Sequence, residues 1–447
     1  MRRLAALVSA LVAASALTSA TAFSPPDAFI TVRQAIVDAL GLPRQTALSQ
    51  SGRFVAFVSR ASLLGIDTHG YPNIYVLDRE TGQVTLESAP PSGCLAGHAC
   101  GTPRLSGDGR FLTFETTDDG PAGGGPPRGV IVLKDRRTGV TRRIGPAASG
   151  IGSLRDAAIS ADGRVLAFAA SSPDLVPGAD ANGTNEDVYS LDVASNRVQR
   201  LSVDSAGRQP ATGASFAPSL SADGRYVAFS STSPLDGARP RPSGRPLVDV
   251  FLRDTMLQTT KRISVRLGGG MSNGSSYGAA ISEDGRYVAF ASEASDLVKA
   301  DGNRATDVFV YDVRGASITL VSRTTSGRAA NGASSQAAIS ADGAVILFQS
   351  DASDLMCGEH CPIAGRDINL VSDVFAADRT SGTIWRISTG RNPWMEPSVA
   401  PAIDGSGTVV AFSSRHPCHG DDEADDFDLF VGGMNKGTVA ASKGRSP

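Results

Sequence analysis

Short, dense apolar runs recur along this chain, Tyr226-Val227-Ala228-Phe229 and Val308-Phe309-Val310-Tyr311 among them, each closed by Gly, Asp, Asn or Ser. Runs this short, rich in β-branched and aromatic residues, predict strands rather than helices. They are ordered into a repeat. Ser-Ala-Asp-Gly-Arg-Tyr-Val-Ala-Phe-Ser-Ser at Ser221–Ser231 has relatives beginning at Ser49, Ser106, Ser160, Ser282, Ser340 and Asp404. Their glycines, Gly52, Gly109, Gly163, Gly224, Gly285, Gly343 and Gly407, lie 54 to 64 residues apart. A second phrase follows most copies, as Asn73–Asp78, Asp249–Asp254 and Asp307–Asp312. One unit repeated at a fixed period is an array, and it sets the architecture before any local reading does.

Within a unit every signal is a strand signal. Ala217–Ser221, the Asp223-Gly224 turn and Tyr226–Ser231 read as a hairpin, and Asp-Gly suggests a type I′ turn with positive φ at both central residues. Val250–Arg253 and a strand ending near Arg262-Ile263-Ser264 complete four strands. Tyr226 to Phe229 leave no polar side, so both faces of each sheet are expected to be covered, as when small sheets stack around an axis. The expected fold is all-β, a seven-bladed β-propeller of four-stranded antiparallel blades. It spans residues 47–442, with blades starting near 47, 104, 157, 217, 279, 337 and 400 and a tail at 443–447. Gly437–Ser442 reads as the fourth strand of the last blade. Closure is therefore expected without a strand from the 23–46 segment.

The motif Ser-x-Asp-Gly-Arg-x-Val-Ala-Phe, followed by Asp-Val-Phe-x-x-Asp and a Thr-Gly turn, resembles the WD40-like propeller repeats of the TolB family. The resemblance covers roughly residues 47–442 and implies the propeller fold. It does not imply one function, because such repeats serve transport accessories, sugar-binding proteins, lyases and peptidase covers. The α/β domain that precedes the propeller in TolB has no counterpart in residues 23–46, so membership of the Tol system is not implied.

The first 22 residues look like a cleaved signal peptide. Met1-Arg2-Arg3 is basic, Leu4–Leu17 is mostly apolar, and Ala20-Thr21-Ala22 is a small-x-small cleavage site. No cysteine near that point suggests a lipid anchor, and no later segment reaches the length of a membrane span. A secreted or periplasmic protein is expected. Lys plus Arg number 42 against 45 Asp plus Glu, a net charge of −3 without a basic stripe, which argues against nucleic acid as a partner.

In a meander blade the connections alternate between two faces. Asp-Gly and Thr-Gly turns are short and share one face; the connections on the other are long and polar, the kind that bind ligands. All five His (His69, His98, His360, His416, His419) and all five Cys fall in those long connections. Two of their loops suggest calcium. Asp180, Asn182 and Asp187 alternate short oxygen ligands around Gly183, and Asp301, Asn303 and Asp307 echo them. The acids of residues 421–428 form the densest run. The same residue types also build turns, and the acid before strand three (Asp187, Asp249, Asp307, Asp373, Asp428) is equally suited to bonding nearby backbone.

In an exported protein the cysteines are expected to form disulfides, Cys94 with Cys100 and Cys357 with Cys361, leaving Cys418 over or paired with either of the last two. The alternative is a metal site built from those residues with His360, His416 and His419. Gly274-Ser275-Ser276-Tyr277-Gly278 matches the pattern of a hydrolase nucleophile elbow but lacks its strand-to-helix setting, and Thr212–Ser215 and Asn331–Ser334 repeat the feature. Two functions stand. One is a non-catalytic propeller binding a protein, glycan or cell-envelope ligand on the long-loop face. The other is a metal-dependent propeller enzyme, a polysaccharide lyase or hydrolase, with Arg366 and Arg415 near the histidines. No convergent catalytic set is visible, which favours the first.

Overall fold

The computed structural model describes residues 30–32, 46–60, 63–66, 71–89, 99–118, 128–145, 152–238, 246–356, 371–388, 397–414 and 428–434. Among these residues there is no helix. Strands form seven four-stranded antiparallel sheets, and the fold is a seven-bladed β-propeller. Blade four is typical: Ser215–Leu220 lies innermost, then Tyr226–Ser231, Asp249–Asp254 and Thr259–Arg262 in chain order outward.

The Ser-x-Asp-Gly phrase builds the first hairpin of each blade. Ser221 Oγ donates to Asp223 Oδ1 at 2.6 Å and accepts the Tyr226 amide at 2.9 Å, while Asp223 Oδ1 accepts the Arg225 amide at 3.0 Å. The Gly224 amide donates to the Ser221 carbonyl at 2.9 Å, so Ala222 and Asp223 are the central pair. Only the glycine takes positive φ, +70°. The expected type I′ turn is therefore corrected: the turn ends in a left-handed glycine, the form of longer hairpin loops. Asp sits at the second centre to cap amides, not to reach positive φ.

That glycine also sets blade spacing. A Cβ on Gly285 would stand 2.3 Å from Tyr226 Cδ2 of the preceding blade, and Gly109 and Gly343 meet Phe54 and Tyr287 in the same way. The arginine before each aromatic lies over its ring, Arg225 at 4.7 Å from the Tyr226 centroid, and pairs with the aspartate ending strand three, Asp254 at 2.7 Å. The repeated phrase is thus largely a device for stacking blades.

Both faces of the middle strands are covered, as the unbroken apolar runs require. Val227, Ala228, Phe229, Val250 and Phe251 are fully buried. Six blades stack an aromatic of strand two on one of strand three, with centroids 5.2 Å apart for Phe412–Phe430 and 6.1 Å for Phe229–Phe251.

Closure differs from expectation. The fourth strand of blade seven is Ile30–Val32, paired antiparallel to Asp428–Gly433 with Thr31 opposite Phe430. The amino-terminal segment thus covers an edge that would otherwise present unpaired amides and carbonyls. The segment Gly437–Ser442, expected in that place, lies outside the described residues, as do the leader and its cleavage site. Among the described residues no helix is long and apolar enough to cross a membrane.

Candidate ligand-binding face

The two ends of the propeller axis are built differently. At the short-turn end, the residue after each repeat serine (or after Asp404) joins a closed backbone ring. Gln50, Gly107, Ala161, Ala222, Glu283, Ala341 and Gly405 each donate an amide to the next one's carbonyl, at 2.8 to 3.0 Å, and Gly405 returns to Gln50. Gln50 Nε2 then reaches from blade one to Glu283 Oε2 of blade five at 2.6 Å. These residues line a cavity of about 140 Å³. Burial raises the pKa of Glu283 there, opposed by the Gln50 amide. This end of the axis is narrowed by backbone and bridged by side chains.

At the long-loop end the innermost strands carry a bulge. Thr102, Asp156, Ala217, Gln336 and Ala400 all have φ between 51° and 56°, and Gly278 takes the same place in blade five with φ 66°. Each lies where the pairing with strand two shifts register. Positive φ is uncommon outside glycine, and bulges re-aim side chains. Asp156 Oδ2 accepts the Ala217 amide of the next blade at 3.0 Å, and Gln336 Oε1 the Ala400 amide at 3.1 Å.

Around Asp156 a charged cluster draws on blades two and three and touches blade four. Arg155 forms a two-pronged ion pair with Glu186 and a second pair with Asp156 at 2.8 Å, and its guanidinium lies 5.8 Å from the Phe216 ring. Glu115 of blade two accepts the Ala157 amide at 3.3 Å, and burial together with the Asp156 charge lifts its pKa to about 7. Phe216 and Tyr277 sit beside the bulges of blades four and five, neither fully buried. Sequence reasoning missed Glu115, Arg155 and Asp156. The recoverable signal was positional, since each stands at or beside the same bulge of the repeat.

The Asp180–Asp187 loop does bring its oxygens together. Gln209 Nε2 lies 2.7 Å from Asp180 Oδ1, Asn182 Oδ1 and Asp187 Oδ2 alike, and Arg200 pairs with Asp180 at 3.0 Å and Asp187 at 3.3 Å. Burial raises Asp187 to about 6. In blade five, Asn303 Nδ2 donates to Asp307 Oδ2 at 2.8 Å, and Asp307, fully buried, is lifted by burial to about 7. The acids before strand three also share a framework role. Asp187, Asp249, Asp307 and Asp373 each accept the hydroxyl of a serine after strand four: Ser202, Ser264, Ser322 and Ser388. Among the described residues no three His, Cys, Asp or Glu side chains form a metal-sized group.

No family model matches the chain, and no curated protein matches it. Solved structures do. An oligogalacturonate lyase in complex with manganese aligns at TM-score 0.53 and 13% identity, over 92% of this chain and 97% of that one. The β-propeller domain of the Trilobed protease from Pyrococcus furiosus aligns at 0.52 and 12%, over 87% and 94%. A putative TolB from Agrobacterium tumefaciens aligns at 0.42 and 15%, over 81% and 98%. At these identities the likeness to the first two establishes the propeller fold alone.

Cys100 is disulfide-bonded; Cys94, its expected partner, lies outside the described residues. Cys94, Cys357, Cys361 and Cys418, all five histidines and the acids of 421–427 lie outside the described residues. Ser276, the serine of the apparent elbow, is fully buried and shares a 2.8 Å hydrogen bond with Ser292 Oγ. Ser215–Ser231 and Ser334–Ser350 repeat that bond at 2.8 Å, so the motif is a feature of the blade.

Proposed function

We propose that this chain is an exported, non-catalytic propeller that binds a glycan-bearing cell-envelope ligand at the long-loop end of its axis. The observation that carries the reading is the difference between the two ends. One is closed by the backbone ring and the Gln50–Glu283 bridge, while the other carries the bulged innermost strands with Arg155, Asp156 and Glu186 beside Phe216 and Tyr277. Carboxylate, guanidinium and amide groups suit the hydroxyls of a sugar, and aromatic planes suit its C–H faces. A few polar groups set among apolar surface is the usual make-up of a small-ligand site.

The test is a binding screen of the mature protein against envelope polysaccharides, cell-wall fragments and their protein-free oligosaccharides. Saturable binding to a glycan without product formation supports the reading. Turnover of an acidic polysaccharide, dependent on added manganese and lost on replacing His360, His416 or His419, would replace it with the enzyme reading. Binding confined to a protein partner would also overturn it.

A further inference from the structure

In three blades an amide of the innermost-strand bulge is taken by a side-chain oxygen from the blade before. The Ala217 amide of blade four donates to Asp156 Oδ2 of blade three at 3.0 Å, and the Ala400 amide of blade seven to Gln336 Oε1 of blade six at 3.1 Å. In blade three the Asp156 amide turns to Glu115 of blade two, which also accepts the next amide, Ala157, at 3.3 Å. These bulge amides are thus closed by carboxyl or amide oxygens of the protein's own.

Blades five and six keep the bulge and lack the oxygen. Gly278 and Gln336 fall in their register breaks as Ala217 and Ala400 do in theirs. The bulge residues of the blades before them are Ala217 and Gly278, which carry no side-chain oxygen. Ser230 of blade four stands where Glu115 stands in blade two, directly after the strand-two phenylalanine; it is fully buried and its hydroxyl bonds nothing. The same position of blade five is Ala291. Among the described residues no side chain takes the Gly278 or the Gln336 amide. Both residues are half-buried, as are Phe216, Tyr277 and Ser335 beside them, and none of the five is charged. Glu115, Arg155, Asp156 and Glu186 gather instead on the blade-three side.

We infer that the site proposed above reads an N-acetylated amino sugar, whose acetamido carbonyl accepts the Gly278 and Gln336 amides at the seam of blades five and six. The inference rests on the glycan reading of that site. The carbonyl takes the part that Asp156 and the Gln336 side chain play in the neighbouring seams, and its two lone pairs can accept two N–H donors. A neutral amide suits the place better than a carboxylate. Burying a charge costs far more than burying a hydrogen-bonded amide, and none of the five residues there would offset it. The acetyl methyl and the C–H faces of the sugar suit the Tyr277 and Phe216 rings.

The mature, isotope-labelled protein is titrated with N-acetylglucosamine and, separately, with glucose, and the backbone amide signals are followed by NMR. Titration to about 20 mM exceeds the Kd of about 1 mM that ligand efficiency allows a single sugar. The Gly278 and Gln336 signals are expected to shift saturably with N-acetylglucosamine and to stay still with glucose. Ala217→Asn and Gly278→Asn supply blades four and five with the kind of oxygen that Asp156 and Gln336 provide, at positive φ that Asn accepts. Each weakens N-acetylglucosamine binding about tenfold or more, because a donor is already taken. Gly237→Asn, at a left-handed glycine with open space around it, changes nothing. The shifts in the unaltered protein decide the matter if either variant fails to fold. No shift, an equal shift with glucose, or full affinity in both Asn variants overturns the inference. Retention of an envelope glycan free of N-acetyl groups, with both amides unmoved, overturns it and leaves the glycan reading standing. N-acetylglucosamine bound at these amides by a protein that retains no envelope glycan supports it and overturns the envelope-ligand reading.

Discussion

Replacing Gly285 by alanine tests whether the repeat glycine is needed for its conformation alone or also for blade spacing. Gly285 has φ +69°, and its added Cβ would lie 2.3 Å from Tyr226 Cδ2 and 3.0 Å from Cε2. Gly237 has φ +72° with nothing within 4 Å of the same Cβ, so it isolates the backbone effect. Holding alanine in the left-handed region costs about 1–2 kcal/mol. Forcing a methyl into a packed ring typically adds about 1–3 kcal/mol, because the ring must leave its rotamer. Tyr226 is poorly placed to yield, since Arg225 lies over its ring at 4.7 Å and is itself tied to Asp254 at 2.7 Å. Gly237→Ala should therefore lose about 1–2 kcal/mol and Gly285→Ala about 2–5 kcal/mol. Urea unfolding followed by far-ultraviolet circular dichroism reads both, compared at equal m-values. Equal losses would refute the spacing role and leave glycine with its conformational one.

Three further outcomes follow from the structure. A chain beginning at residue 33 lacks the strand that pairs Asp428–Gly433 and should unfold at lower urea while keeping its strand signal, because the backbone ring at the axis remains; an unchanged midpoint would show that Ile30–Val32 does not close the ring of blades. Glu115, lifted to about 7, favours the fold when neutral, so its contribution is complete below pH 4.5 and is lost as pH rises through 7. Glu115→Gln should thus match the parent near pH 4 and exceed it by up to about 3 kcal/mol near pH 8, read from urea midpoints across pH. Ser276→Ala and Ser215→Ala should each cost about 1 kcal/mol in the same assay, because both serines make the same buried bond to strand two, and a large difference between them would reopen a special role for Ser276.

The repeat made the blade legible, because the Ser, Asp, Gly, Arg and aromatic positions each do the same job in every copy. What stayed hidden was non-local. Ile30–Val32 carries a strand-like Ile-Thr-Val, yet its partner lies at the other end of the chain, and no turn links them. The turn type was misjudged because Asp-Gly was centred one residue late, and Asp223 serves as an amide acceptor. The oxygens of Asp180–Asp187 were legible as a cluster; their closing donors were not, because Arg200 and Gln209 arrive from strand four and the next link. The charged cluster of Glu115, Arg155 and Asp156 draws on two neighbouring blades, so no short motif announces it.

The most direct test of the functional account compares the two ends of the axis in one binding measurement. Phe216→Ala and Tyr277→Ala alter the long-loop end, and Arg314→Ala alters an exposed turn on the opposite face. With an envelope glycan found by the screen, isothermal titration should show weakened binding for the first two, by about 1–3 kcal/mol if each ring packs on the ligand, and no change for the third. Undiminished affinity in Phe216→Ala and Tyr277→Ala, or a loss confined to Arg314→Ala, would contradict the assignment of function to the long-loop face.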